Sequence, residues 1–319
     1  MSHEAWMLLA AGLLPAILRA TAPILLAALG GLVSDLAGCT NVALEGLMLV
    51  AAFFAVLVSV QAAHWFPGIA PGLYPWIGCA GGLLAALVLA GLLAVVHLEW
   101  GGDLIIAGIA INILAAGLTV LLMAALTGDK GSTASLDSPV LPSVHIPGLQ
   151  DWALPDLLLN GENRRGHHVL LVVALLAVPA LWWFLRRSRR GTWLRAAGEN
   201  PLAAAAAGIP VRRMRYLALL LSGLLAGLGG IYLSLGYLSL FQADMTAGRG
   251  FLALAAVFVG ARGLRGVVAA SVLFGASAVL ATQLGASRIP PQLIYLLAPV
   301  VTLMALAASG ARSRRHAGR

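Results

Sequence analysis

Three polar side chains stand inside long apolar runs, where a polar group is costly unless it has a partner or a function. Glu45 follows Asn41 in NVALEGLM, and Asn112 lies within GIAINILAAG. The Glu45 carboxylate could line a solute pathway and bind hydroxyl groups, or satisfy backbone at a break near Gly30–Asn41. Asparagine is a common N-cap residue, so Asn41 is a candidate cap for the helix that begins near Val42. Asn112 fits a hydrogen bond between helices, or a contact in the pore.

A second polar group lies in GYLSLFQADMTAGRGF, residues 236–251. Aromatic faces stack on sugars or nucleobases, and amide, hydroxyl and guanidinium groups bind their polar edges. The alternative is a tight outer loop, in which Gly248 and Gly250 allow the turn and Arg249 reaches the interface. The candidates for the substrate pathway in this stretch are Phe241, Gln242, Thr246 and Arg249. A weaker pair, after the Pro290-Pro291 break, is Gln292 and Tyr295.

The sequence offers no catalytic constellation and no metal site. There is no GxxxxGK[ST] motif, and the only lysine, Lys130, lies in GDKGS without the preceding glycine at the required spacing. The histidines show no mutual ligand spacing, and the two cysteines lie in apolar surroundings without a CxxC motif. We therefore expect no catalytic residues, no metal and no cofactor bound by this chain.

The elements that must position these residues are membrane helices. Of the 319 residues 61% are hydrophobic and only 10% are charged, whereas soluble domains carry about a quarter charged residues. About 20 apolar residues cross the hydrocarbon core as a helix. Nineteen of the 20 basic residues are arginines, mostly flanking apolar runs, which argues against nucleic-acid binding despite the net charge of +8. The predicted spans are 5–30, 42–63, 73–96, 104–127, 167–185, 215–238, 266–284 and 289–309.

Two polar stretches separate the spans. Residues 128–166 are rich in Pro, Ser and Asp and read as an ordered external loop. Residues 186–215 hold eight arginines and one acid, which assigns them to the cytoplasm, together with the basic C-terminal tail. The piece 250–260 is too short to cross alone and needs its flanking residues to supply a crossing. Gly30-Gly31 and the polar residues after them interrupt the first segment, so the topology of residues 1–45 stays open.

The arginine-rich stretch contains one short helix with clear ends. In GENPLAAAAAGIP, Asn200 is a good N-cap, Pro201 suits the first helical position and Gly208 suits the residue after the helix. Pro210 stops the helix from continuing. Small side chains let such a helix dock into a groove of another protein, although a surface helix without a partner has the same composition.

These residues resemble a known family. LRAAGENPLAAAAAGIPVRRMRYLALLLSGLLAGLGGIYLSLGYLS is similar to the cytoplasmic coupling segment and following helix of bacterial ABC importer permeases of the nucleoside and simple-sugar branch, related to ribose and branched-chain amino-acid permeases. ALGGLVSDLAGCTNVALEGLMLVAAF, GGDLIIAGIAINILAAGLTVLL and FQADMTAGRGFLALAAVFVGA match that branch in order. The resemblance is weakest in 128–166 and at the termini, and Cys39-Thr40 departs from two usual apolar residues.

The resemblance implies an all-α, polytopic integral membrane helix bundle of about 8–10 transmembrane segments with broken or re-entrant helices. This single permease domain would sit in the bacterial inner membrane beside a homologous second permease, giving a heterodimer, with an external solute-binding lipoprotein. A cytoplasmic ABC ATPase would bind ATP and Mg and receive the coupling segment. The implied coupling residues are Glu199, Asn200, Pro201, Ala203, Ala204, Gly208 and Ile209.

Two other classes compete with a permease. A secondary transporter driven by an ion gradient would use discontinuous helices such as 28–45, and it would work without another chain. An integral membrane enzyme would need several acids, histidines or a nucleophile facing one cavity. Only Glu45 and Asp35 are intramembrane candidates, which are too few for such a site.

Overall fold

A computed structural model describes residues 3–136, 138–144 and 167–285 of the chain. The described part is almost entirely helical. Its main helices are α1 (His3–Leu36), α2 (Leu44–Trp65), α3 (Tyr74–Leu98), α4 (Leu104–Thr127), α5 (Val169–Arg187), α6 (Arg189–Glu199), α7 (Pro201–Ala206), α8 (Val211–Ile231), α9 (Arg249–Val259) and α10 (Leu264–Gly285). A 3-10 turn (Pro71–Leu73) precedes α3, and a π-helical turn (Tyr232–Leu238) continues α8. Two short strands, β1 (Ser143–Val144) and β2 (His167–His168), pair antiparallel.

Seven helices of the described part are long and apolar enough to cross a membrane. They coincide with seven of the eight predicted spans, which are thereby confirmed as helices. The eighth predicted span, 289–309, lies outside the described residues, as do Gln292 and Tyr295. Hydropathy located these helices because backbone in lipid must find its hydrogen bonds within its own segment.

The interruption expected from Gly30-Gly31 and the polar residues after them lies at the polar residues and not at the glycines. Helix α1 continues unbroken through both glycines to Leu36, and the chain turns at residues 37–43 instead. The two glycines serve packing: a Cβ on Gly30 would meet the backbone of Ser222 in α8, and one on Gly31 would meet Leu44. Small residues of this kind let membrane helices approach closely.

A broken hairpin follows α8. Residues 239–248 form an irregular loop after the π-helical turn, and α9 then runs for 11 residues, about 16 Å at 1.5 Å per residue. This is about half of a 30 Å hydrocarbon core. Helix α9 alone is therefore too short to cross, as predicted from 250–260. The short turn 260–263 connects α9 to α10.

Helices α1, α2, α3 and α8 pack closely at the centre of the bundle. Gly230 of α8 lies directly against the backbone carbonyl of Met48 in α2, where any Cβ would clash. A Cβ on Gly82 of α3 would likewise clash with the carbonyl of Ala51. The polar loops are thereby held at two opposite ends of one tightly packed core.

We call the two ends of the bundle the arginine end and the loop end. At the arginine end, residues 186–215 lie with the C-termini of α1 and α3 and with the turn 260–263; Arg212 of α8 forms an ion pair with Glu99 after α3. At the loop end, residues 128–136, 138–144 and 167–168 lie with the loop 239–248, and Ser132 forms a β-bridge with Gln242. The described part of the predicted external loop is therefore ordered against the loop after α8.

Candidate functional site

Helix α7 has the ends that its sequence predicts. The side-chain oxygen of Asn200 accepts a hydrogen bond from the Ala203 N–H at 3.0 Å, and Pro201 occupies the first helical position. Gly208 follows the helix with φ +79°, and the Ile209 N–H donates to the Ala204 carbonyl at 3.0 Å. The left-handed conformation and the returning hydrogen bond complete the C-terminal cap. The prediction of a compact capped helix is confirmed.

One face of α7 is open and one is held by the protein. Ala204 is buried, whereas Glu199, Asn200 and Ala203 are exposed. Leu202 is 83% exposed, the largest value among the large hydrophobic side chains of the described residues. Sequence reasoning missed Leu202, the one large aliphatic side chain of α7, whose sequence is PLAAAA.

Helix α7 is joined to the bundle through α6, which lies on the end of α1. Gly198 of α6 packs directly against the backbone of Leu36 and Gly38, leaving no room for a Cβ. Leu194 of α6 is fully buried in a cluster with Leu29 of α1 and Leu185 of α5. Helix α6 therefore links α7 to the end of α1 through closely packed contacts.

Glu45 caps α9 from another helix. Its Oε1 accepts hydrogen bonds from the Thr246 hydroxyl at 2.6 Å and the Gly248 N–H at 2.8 Å, and its Oε2 accepts from the Gly250 N–H at 2.6 Å. A negative charge at a helix N-terminus is favourable because the first N–H groups there have no partner in the helix. The structural role weighed for Glu45 is observed, but the backbone that it satisfies is at residues 248–250 and not near Gly30–Asn41.

The other candidates of the loop 239–248 divide by their environment. Phe241 is fully buried and its ring packs edge to face on Phe53, with centroids 5.2 Å apart. Gln242 is exposed at the loop end. Arg249 is half-buried, and its Nη1 donates to the carbonyls of Met245 and Thr246 at 3.0 and 3.1 Å. Contact of these residues with a solute stays a prediction.

The two asparagines fix the turn between α1 and α2. Asn41 Nδ2 donates to the Ser222 hydroxyl of α8 at 2.9 Å, and its Oδ1 accepts from the Ala43 N–H. Asn112 of α4 accepts from the Gly46 N–H at 2.8 Å and donates to the Val42 carbonyl at 2.9 Å. Asn112 thus makes the kind of helix-to-helix hydrogen bond that its position favoured.

Two cavities at the loop end, each with polar side chains in its lining, were not anticipated from the sequence. One has a volume of about 190 Å³ and lies among α1, α9, α10 and the π-helical turn, lined by Arg19, Tyr232, Arg249 and Thr282. The other, of about 440 Å³, is lined by Arg19, Tyr232, His168, Ser143 and Ser239. They share Arg19 and Tyr232, so the two cavities adjoin. The missed signal was Arg19, a cation within the first predicted span.

The histidine of the larger cavity is held neutral. Burial lowers the pKa of His168 to about 4, against the smaller raising effect of a backbone hydrogen bond with Leu235. Its Nδ1 accepts the Leu170 N–H at 3.2 Å. Its ring meets Tyr232 edge to face, with centroids 6.0 Å apart. This wall of the cavity is aromatic, and its charge is carried by Arg19.

Comparisons with known proteins give a consistent result. The model of the family described as "Branched-chain amino acid transport system / permease component" matches residues 13–306. The chain is 33% identical to the guanosine ABC transporter permease protein NupQ of Bacillus subtilis over 303 residues, 92% of this chain and 90% of NupQ. It is 30% identical to the nucleoside ABC transporter permease protein NupC of Lactococcus lactis, covering 89% and 88%. It is 28% identical to the glucose ABC transporter permease protein TsgB13 of Haloferax volcanii, covering 92% and 75%.

Proposed function

The chain belongs to the family of permease components of the branched-chain amino acid transport system, and we propose that it forms half of the translocation pathway of an ABC importer for a nucleoside or a related simple sugar. Its relatives are ABC transporter permeases, and it is a multi-pass membrane transport component, not an enzyme. The solute class is supported by the relatives named for guanosine, nucleosides and glucose.

The adjoining cavities at the loop end supply suitable chemistry for such a solute. Arg19 and Arg249 offer hydrogen-bond donors, and Tyr232 adds an aromatic ring with a hydroxyl group. Hydroxyl groups of a ribose and carbonyl groups of a base are acceptors for these donors. We therefore place the entrance of the solute pathway at these cavities, one of which is lined by the predicted pathway residue Arg249.

The observation that carries the proposal is the exposed, capped helix α7. Leu202 and Ala203 form a small apolar surface on a helix fixed at both ends by Asn200 and Gly208. A cytoplasmic ATPase with a hydrophobic groove would bind this surface as a helix-in-groove contact. ATP and Mg belong to that ATPase. The arginines around α7 then hold this end of the bundle on the cytoplasmic side of the inner membrane, together with the C-terminus.

A continuous set of contacts leads from α7 to the broken hairpin. Movement of α7 would displace α6, whose Gly198 lies on the end of α1. Asp35 at that end binds Arg262 in the turn between α9 and α10. The opposite end of α9 is held by Glu45 beside the loop 239–248. ATP-driven tilting of α7 would thus shift α9 and alternate access to the pathway. A homologous permease would complete the pathway, and a solute-binding lipoprotein would deliver the solute at the loop end.

The proposal is tested by purifying the tagged chain from its native membrane in mild detergent and identifying the accompanying chains by mass spectrometry. We expect an ABC ATPase and a second permease in stoichiometric amounts. Leu202→Asp should remove the ATPase and keep the second permease. Thr192→Asp adds the same charge at an exposed position of α6 and should keep both. A chain that purifies alone and transports solute under an ion gradient would support the secondary transporter instead.

A further inference from the structure

An apolar groove lies on the outside of the bundle between α5 and α8. Both helices pack on α1, and Val33 of α1 forms part of the floor of a cavity of about 430 Å³. The α5 wall extends from Val173 to Phe184, about 16 Å along the helix, and the α8 wall extends from Leu221 to Leu228. Apart from backbone, the lining side chains are all aliphatic or aromatic. The groove thus has the length and chemistry of an acyl-chain site.

Both walls of the groove lead to arginines at the arginine end. On α5, Arg187 follows Phe184 by three residues, which places it on the same face one turn further. On α8, Arg213 precedes the wall residue Leu224 by 11 residues, about three full turns, and so also continues the groove face. Both arginines are exposed. Two exposed cations therefore continue the two walls of the groove towards the arginine end.

The arginines near the groove lack carboxylate partners among the described residues. The ion pairs found at this end join Arg212 to Glu99 and Arg262 to Asp35, and neither involves Arg187 or Arg213. In the same described part, Arg195 and Arg215 bury their Nε atoms without a hydrogen-bond partner. A cluster of cations at the membrane surface beside an apolar groove fits an anion that carries its own hydrocarbon chain.

We propose that this groove is a site for an anionic phospholipid, with one acyl chain between α5 and α8 and the phosphate group at Arg187 and Arg213. The charge complementarity distinguishes this occupant from a neutral lipid, whose headgroup offers the arginines no net charge. It also distinguishes it from a further apolar helix, which would cover the groove and leave the arginines without an anion. The site stabilises α5 against α8, on either side of the segment α6–α7. This proposal does not depend on the identity of the transported solute.

The test uses the purified chain in nanodiscs of phosphatidylcholine with a minor fraction of photo-crosslinkable phosphatidylglycerol. We expect cross-links in peptides of α5 and α8 around the groove. Arg187→Ala/Arg213→Ala should lower this labelling by about an order of magnitude, because each arginine near the surface strengthens anionic lipid binding severalfold. Arg190→Ala/Arg265→Ala removes the same charge from two other exposed arginines and should leave the labelling unchanged.

A second variant separates the groove from the charge. Ala180→Phe fills the groove and keeps every arginine, and we expect it to abolish the labelling of α5 and α8 while the protein stays monodisperse. Equal labelling by photo-crosslinkable phosphatidylcholine, or labelling that neither variant changes, would show annular lipid only and overturn the proposal. Loss of the labelling when the chain is purified together with its second permease would identify the groove as a protein interface and overturn the proposal equally.

Discussion

The carboxylate of Asp35 at the end of α1 binds the guanidinium group of Arg262, which lies 227 residues later in the turn between α9 and α10. Arg262 Nη2 donates to Oδ1 at 2.9 Å, and Nε lies 2.5 Å from Oδ2. The Thr40 hydroxyl also donates to Oδ1, at 2.8 Å. The turn itself is strained, since Ala261 and Arg262 have φ values of +51° and +59°. The ion pair therefore holds a strained turn against the helix that α6 contacts.

Removing the arginine of this pair should cost more stability than neutralising the acid. The Asp35 side chain is fully buried, whereas that of Arg262 is 59% exposed. Arg262→Ala leaves a buried charge without its partner, and we expect it to lower the free energy of unfolding by about 2 kcal/mol. Asp35→Asn leaves a neutral amide and should cost about half of that. Thermal unfolding in detergent measures both, and the double variant should be more stable than the sum of the two losses implies.

The same pair should be needed for coupling. If Asp35 and Arg262 transmit movement from α6 to α9, Asp35→Asn should lower the amount of solute transported per ATP hydrolysed while ATP hydrolysis continues. Arg265→Ala, which removes an exposed arginine just beyond the turn, is the control and should keep the ratio. An unchanged ratio in Asp35→Asn would remove this ion pair from the transmission path.

Glu45 should be required for the position of α9. Glu45→Gln replaces one acceptor oxygen by an NH2 group that faces backbone N–H donors, and we expect a loss of roughly 1–3 kcal/mol. Thr246→Val removes one of the three donors to Glu45, whereas Thr246→Ser keeps it and is the matched control. Hydrogen exchange of residues 248–252 should rise in Glu45→Gln and Thr246→Val and stay low in Thr246→Ser. Protected amides in all three variants would contradict the capping role.

The ends of α7 should control the use of ATP. Asn200→Ala removes the cap and should destabilise the helix by about 1 kcal/mol, while Asn200→Ser keeps an acceptor. Gly208→Val places a β-branched residue at φ +79°, a conformation that such residues avoid. We expect Gly208→Val to uncouple transport from ATP hydrolysis and leave the protein in the membrane. Full transport in Gly208→Val would show that α7 does not couple the two activities.

His168 should make the stability depend on pH in the acid range. Because the fold lowers the pKa of His168 to about 4 from 6.5, the unfolded chain binds the proton more readily than the folded chain. Its contribution is constant above pH 6.5, and stability falls as the pH drops from 6.5 towards 4, by roughly 2–3 kcal/mol. His168→Asn keeps an acceptor for Leu170 and should flatten this slope in thermal unfolding at several pH values. His64→Asn, at an exposed position, should leave it unchanged.

Features that depend on neighbouring residues could be predicted from the sequence, whereas contacts between distant residues could not. The seven spans and the caps of α7 follow from hydropathy and from residues within one or two turns, so they were predictable. The partners of Glu45 lie about 200 residues later in the sequence, and the residues around Glu45 do not indicate which distant residues it binds. Gly30 within α1 packs against the backbone of α8, and local helix propensity does not predict such a contact. The cavities lined by Arg19 and Tyr232 were not predicted, because residues far apart in the sequence form them.

The most direct test of the account is solute uptake by the purified complex in proteoliposomes. With ATP supplied on the side of α7, labelled guanosine or ribose should accumulate on that same side of the membrane. Leu202→Asp should abolish this accumulation, and Thr192→Asp should keep it. Accumulation by this chain alone under a proton or sodium gradient, without ATP, would contradict an ATP-driven permease.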